Sequence, residues 1–136
     1  MPIQKQISVF LENRPGLLAR ICNVLCEASI NIQALSVHDT VDNAVVRLLV
    51  DNPTKALLLI EQEDFYLMEQ DVVVLQVDNK PGTLSRIAEK LARADINISY
   101  AYCTAGSSQS TGCIVIKTEN PEKTLECLRE FEFGVE

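Results

Sequence analysis

Two turns in this sequence carry residues whose types and spacing suit the binding of a small polar group. Asn13-Arg14-Pro15-Gly16-Leu17-Leu18 ends an apolar run and opens a helical pattern. A helix that begins there leaves its first backbone N–H groups unpaired and presents a positive dipole end, which favours an anionic group. Gly16 has no side chain, so a ligand can come close to the backbone. The side-chain oxygen of Asn13 can accept from a donor such as an ammonium. Asn79-Lys80-Pro81-Gly82-Thr83-Leu84 repeats the arrangement, which makes Asn79, Gly82, Thr83 and Leu84 candidates beside Asn13, Arg14, Gly16, Leu17 and Leu18. The same residues are also good β-to-α turn chemistry that needs no ligand. Arg14 and Lys80 belong to types that are commonly solvated.

Other reactive side chains form no recognisable catalytic or metal-binding arrangement. Cys22 and Cys26 stand at i, i+4 and could present two ligands on one helix face, but they fall near its apolar stripe, where free cysteine is a common core residue. Cys103 and Cys113 flank the polar stretch 105–112 and are expected to pack in a core or at an edge. His38, the single histidine, sits beside Asp39 with no nucleophile at a catalytic spacing, so a surface turn is expected. There is no GxSxG, HExxH, P-loop or CxxC pattern. No catalytic residue, metal or cofactor is expected.

The net charge of -7, from 12 basic and 19 acidic residues, argues against nucleic acid or an anionic membrane as a partner. Aromatics are 5% of the chain and Trp is absent, which disfavours base stacking. Apolar runs such as 56–60 fall far short of the roughly 20 residues that a membrane span needs. The start of the chain does not read as a signal peptide. Five cysteines without an export signal point to reduced thiols in the cytoplasm.

These turns must be held by regular elements, and the elements repeat. Between Asn13 and Ile32, 11 of 20 positions are identical to those 66 residues later, including Arg20-Ile21 with Arg86-Ile87 and Ala28, Ile30, Asn31 and Ile32 with Ala94, Ile96, Asn97 and Ile98. Asn52-Pro53 returns as Asn120-Pro121 at an offset of 68, which places two extra residues in the loop 105–112. Each copy reads as strand, helix, strand, strand, helix, strand. The first copy has strands at 7–12, 31–37, 44–50 and 65–69. The second has strands at 72–78, 97–103 and 113–118, and its last strand would barely begin before residue 136. Leu17, Ile21 and Leu25, like Leu84, Ile87 and Leu91, keep helical spacing, and Asn-Pro suits the start of each second helix. The expected division is 1–70 and 71–136.

With Asn-x-Pro-Gly-x-Leu after the first strand and Asn-Ile at the second, each copy resembles the ACT domain, a regulatory module that binds amino acids or other small metabolites. The resemblance covers nearly the whole chain. It implies an α+β fold of two ferredoxin-like βαββαβ repeats, with antiparallel sheets and helices on one face. It also implies that ligands sit at junctions between copies, with the backbones of Asn31, Ile32, Asn97 and Ile98 adding contacts. Where the family often has Gly after its first helix, this chain has Ser29 and Asp95. Ser is the less comfortable of the two in a left-handed conformation, so a different helix exit is expected in the first copy. Functionally, the resemblance implies a non-catalytic amino-acid sensor acting by allosteric regulation, working as a homodimer. The alternative is a regulatory subunit of a larger biosynthetic enzyme, since the stretch from Ile7 to Asn13 is similar to the opening of acetolactate synthase small subunits.

Overall fold

Alternation in Ile7-Ser8-Val9-Phe10-Leu11 turns Ile7, Val9 and Leu11 to one face of a strand, and all three are buried. In the computed structural model, which describes residues 2–78, 80–105 and 111–131, that strand is β1 (Ile3–Glu12). It is followed by α1 (Leu17–Glu27), β2 (Ile32–Asp39), β3 (Asn43–Val50), α2 (Pro53–Gln62) and β4 (Tyr66–Asp78). Then come α3 (Thr83–Arg93), β5 (Tyr100–Ala105), β6 (Thr111–Lys117) and α4 (Pro121–Cys127), with a 3-10 turn at Arg129–Phe131. The chain is α+β, with antiparallel pairing and helices.

One compact unit comprises residues 5–70. Its strands lie in the order β2-β3-β1-β4, with Ile7 opposite Leu48, Val9 opposite Val46 and Leu11 opposite Ala44. These side chains share a core with Leu17, Ile21 and Leu25 of α1 and with Ala56 and Ile60 of α2, so both helices cover the same face. Beyond that core, the Ser8 hydroxyl donates to Gln70 Oε1 at 2.8 Å and the buried Gln6 carboxamide donates to the same oxygen at 3.2 Å.

The second unit comprises residues 71–131 with residues 2–4 from the start of the chain. Its strand order is β4-β6-β5, with Val73 opposite Ile116 and Leu75 opposite Ile114. Ile87, Leu91 and Leu128 complete the core on that face. On the other side of β4, the Val74 N–H donates to the Pro2 carbonyl at 2.6 Å, and Ile3 packs against the same core. The strand place that the second copy would otherwise leave open beside β4 is therefore taken by the beginning of the same chain. Residues 132–136, where a closing strand is expected from sequence, lie outside the described residues.

The structure revises several details. The stretches expected as separate strands at 65–69 and 72–78 are a single 13-residue strand, β4. No Gly, Pro or Asn stands between them to break the extended run. The strand expected at 97–103 begins only at Tyr100, because its partner β6 ends at Lys117 and leaves no ladder for Asn97 and Ile98. The exits of α1 and α3 prove alike. Ser29 and Asp95 both have φ 59, and the bonds Ile30 N to Leu25 O and Ile96 N to Leu91 O are both 2.9 Å. Together with Ser29 N to Cys26 O and Asp95 N to Ala92 O, both 3.0 Å, these are paired Schellman closures, so Ser29 accepts the left-handed conformation. Cys22 is half-buried and Cys26 is exposed. The buried stripe runs through Leu17, Ile21 and Leu25, and each cysteine lies one residue further round the helix.

Candidate functional site

Among the described residues the four α-helices begin in two ways. Asn52 and Asn120 cap α2 and α4, their side-chain oxygens accepting from Lys55 N at 3.2 Å and Lys123 N at 3.1 Å, with Pro next in line. Gly16 and Gly82 open α1 and α3 at φ 93 with no side-chain cap. The first-turn N–H groups of these two helices therefore have no cap side chain to accept from them, which suits an anion. Both uncapped starts are the Asn-x-Pro-Gly turns.

In the first copy, Arg14 and Leu17 line a cavity of about 480 Å³ together with Glu12, Arg20, Glu63, Asp64 and Phe65. Its charges are of both signs. Arg20 Nη2 lies 3.0 Å from Glu63 Oε1, with its guanidinium 5.2 Å from the Phe65 ring centre, and Arg14 Nε is 3.7 Å from Glu12 Oε2. The Asn13 carboxamide nitrogen donates to Asp39 Oδ1 at 2.5 Å and to the Thr40 carbonyl at 3.4 Å, which fixes the amide's orientation and ties the turn to the β2–β3 hairpin. Gly16 is exposed and Leu18 is partly buried against the first core. Asn31 and Ile32 do not join them. They line a different cavity of about 430 Å³ with Cys22, Cys26, Ser29 and Ile30. The 11-residue helix α1 separates the two ends by roughly 16 Å. Asn31 is also engaged: its N–H donates to Asp51 Oδ1 at 3.1 Å and its carbonyl accepts from Asp51 N at 3.2 Å.

In the second copy the candidates gather more closely. Gly82, Thr83 and Leu84 line a cavity of about 260 Å³ with Val77, Lys80, Ser85, Cys103, Thr104, Cys113 and Ile114. An adjoining cavity of about 230 Å³ shares Leu84, Cys103 and Ile114 and is lined further by Ile87, Ala88, Ile98, Ala101 and Tyr102. Thr83 is 4% exposed, and its hydroxyl has no hydrogen-bond partner among the described residues. Burial pushes the Cys113 thiol above its ordinary range, opposed by a hydrogen bond with Thr104 and reinforced by the nearby Cys103. Asn97 is exposed and lines neither cavity. Asn79 lies outside the described residues. The β5–β6 residues Cys103, Thr104 and Cys113 were not singled out as binding residues by sequence. Only the pairing that sets Thr104 opposite Cys113 puts them at the α3 turn.

His38 is exposed in β2. Among the described residues no group of three or more His, Cys, Asp or Glu could hold a metal ion, and no helix is long and apolar enough to cross a membrane.

The family model of the ACT domain pair matches residues 1–134. The chain belongs to the ACT domain pair family. Protein BT0572 from Bacteroides thetaiotaomicron, a solved structure, is 32% identical to this ACT pair, with a TM-score of 0.88 over 95% of this chain and 88% of that one. The acetolactate synthase small subunit of Mycolicibacterium smegmatis is 25% identical over 146 residues, covering 95% of this chain and 82% of that protein. The regulatory subunit of aspartate kinase from Thermus thermophilus, in a ligand-free crystal structure, shares the fold at a TM-score of 0.68 and 16% identity, over 96% of this chain and 97% of that one.

Proposed function

We propose that this ACT pair is a non-catalytic sensor of a small metabolite of the amino-acid type and acts as an allosteric regulatory protein. The observation that carries the reading is the contrast between helix starts: two are closed by Asn caps, and the two at Asn-x-Pro-Gly are left without one. A carboxylate at such a start would accept from first-turn N–H groups that no side chain caps, although at α3 the Thr83 N–H already donates to the Lys80 carbonyl at 3.3 Å. In the first copy, Glu12 and Asp64 stand near Arg14 and Arg20, which suits a group carrying both a carboxylate and an ammonium. In this reading the modules are ferredoxin-like βαββαβ repeats over 1–70 and 71–136, and the chain works as a cytoplasmic homodimer. The ligand acts by preferring one arrangement of the protein over another.

Calorimetric titration and thermal unfolding against the common amino acids test the sensor reading. A ligand at about 100 times its Kd stabilises the fold by about 2.7 kcal/mol. Absence of any shift with every amino acid tried would refute amino-acid sensing.

A second reading is favoured by the similarity to an acetolactate synthase small subunit along 95% of the chain. Here the ACT pair carries feedback control to a larger amino-acid biosynthetic enzyme. Affinity purification at native expression level tests it, and the expected result is stoichiometric recovery of such an enzyme.

A further inference from the structure

We propose that Cys22 and Cys26 of α1 form a two-thiolate site for a soft monovalent metal ion, copper(I). The site lies toward the end of the helix, away from its uncapped start, and does not depend on the sensor reading.

The first ground is accessibility. Free cysteine near an apolar stripe is ordinarily core filling. The buried stripe of α1 runs instead through Leu17, Ile21 and Leu25, and neither thiol belongs to the first core. Cys22 is half-buried and Cys26 is exposed. Both line one cavity of about 430 Å³, with Ser29, Ile30, Asn31 and Ile32. Cys127 shows the contrast: it packs against the second core, and its thiol donates to the Lys90 carbonyl at 3.7 Å.

The second ground is a comparison that the duplication supplies. Helices α1 and α3 both have 11 residues, bury Ile21 and Leu25 as they bury Ile87 and Leu91, and leave through a left-handed residue at φ 59. At the offset of 66, Cys22 and Cys26 correspond to Ala88 and Ala92, both exposed. The same helix therefore forms and packs with a methyl group at both places. Packing does not call for sulfur there, and what the two sulfurs add is ligand chemistry.

The third ground is geometry and softness. Residues four apart share a helix face, with Cβ atoms about 5–6 Å apart. Helical side chains lean over the preceding turn, which carries the Cys26 sulfur toward Cys22. Metal–thiolate bonds of about 2.3 Å then let one ion sit between the two sulfurs. Thiolates select soft ions, and copper(I) is satisfied by two of them in line. Structural zinc takes four ligands, whereas the other residues lining this cavity bring a hydroxyl, a carboxamide and aliphatic groups. Binding breaks two S–H bonds, forms two Cu–S bonds and releases two protons to solvent. No electron is transferred.

The test is an anaerobic titration of the full chain with copper(I) in competition with bicinchoninate, followed by X-ray absorption and thermal unfolding. The native chain should withhold about one copper(I) in a two-sulfur shell, and its unfolding midpoint should rise with the metal. Cys22→Ala and Cys26→Ala should each release that ion, because both sulfurs are needed. Each copies the residue of α3, so the metal-free midpoint should stay close to that of the native chain. Cys103→Ala should retain the ion. Failure of the native chain to withhold copper(I) overturns the proposal. So does copper(I) retained by both single variants, or lost equally in Cys103→Ala, which marks adventitious thiol binding. Zinc(II) held as tightly as copper(I) also overturns it.

Discussion

Gly16→Ala isolates what the first turn demands of its backbone. Gly16 sits at φ 93, ψ -18, and a Cβ built there would meet nothing within 4 Å. Steric overlap with neighbours therefore contributes nothing, and the cost is conformational. Holding an L-residue at positive φ costs roughly 1–2 kcal/mol. Alanine recovers about 0.4–1 kcal/mol by restricting the unfolded chain. The net loss is then about 1 kcal/mol, or about 4 °C in Tm for a chain of this size. Urea unfolding at constant m-value measures it. Gly16→Asn supplies the control, because Asn tolerates positive φ better than Ala and should cost less. A neutral Gly16→Ala would show that the turn does not require positive φ in solution. A loss above about 3 kcal/mol, or equal losses for Ala and Asn, would show that something other than backbone strain is at work.

The opposite substitution, Ser29→Gly, relieves a left-handed serine at φ 59 and should stabilise by about 0.5–1 kcal/mol in the same assay. Asn52→Ala removes the bond to Lys55 N and should cost about 1 kcal/mol. Ile3→Asp should lower amide-exchange protection in β4 at residues 73–77 and in α3, because Ile3 packs on the second core. Cys113 is a linkage case with a definite sign. Its folded pKa is raised, chiefly by burial, so its contribution to stability is full below the ordinary thiol pKa and is lost as pH rises through the folded value. Urea midpoints followed from neutral to about pH 10 should fall more steeply for the native chain than for Cys113→Ala.

Much of the candidate site was legible because its signals are local. Asn-x-Pro-Gly marks a strand-to-helix turn within six residues, and the Asn-Pro pairs mark the other two helix starts. Leu17, Ile21 and Leu25 declare a buried stripe at helical spacing, and all three are buried. Local signals failed where partners had to be chosen. Nothing in 65–78 reads as a break, but whether that run is two strands or one depends on what pairs beside it. Asn97 and Ile98 look like a strand opening, as Asn31 and Ile32 do, yet β6 stops short of them. Cys22 and Cys26 lie within one residue of the core stripe, too little for sequence to separate burial from exposure.

The sequence by itself determined the duplication, the helix starts and the buried stripe of α1, since all of these rest on spacing of a few residues, but in α3 it placed Leu84 on the stripe where Thr83 is the buried residue and Leu84 is 51% exposed. Tertiary structure decided the rest. It placed Pro2 to Gln4 beside β4 in the second unit, some 70 residues away along the chain. It moved Asn31 and Ile32 to the far end of α1 from their turn, and it brought Cys103, Thr104 and Cys113 to Thr83. Strand neighbours and cavity walls are set by non-local pairing and register, and a one-residue shift of register turns each side chain to the opposite face. For that reason the turns could be recognised one by one, while the chemistry of the two cavities, one of mixed charge and one apolar beneath a positive helix end, had to be read from the folded chain.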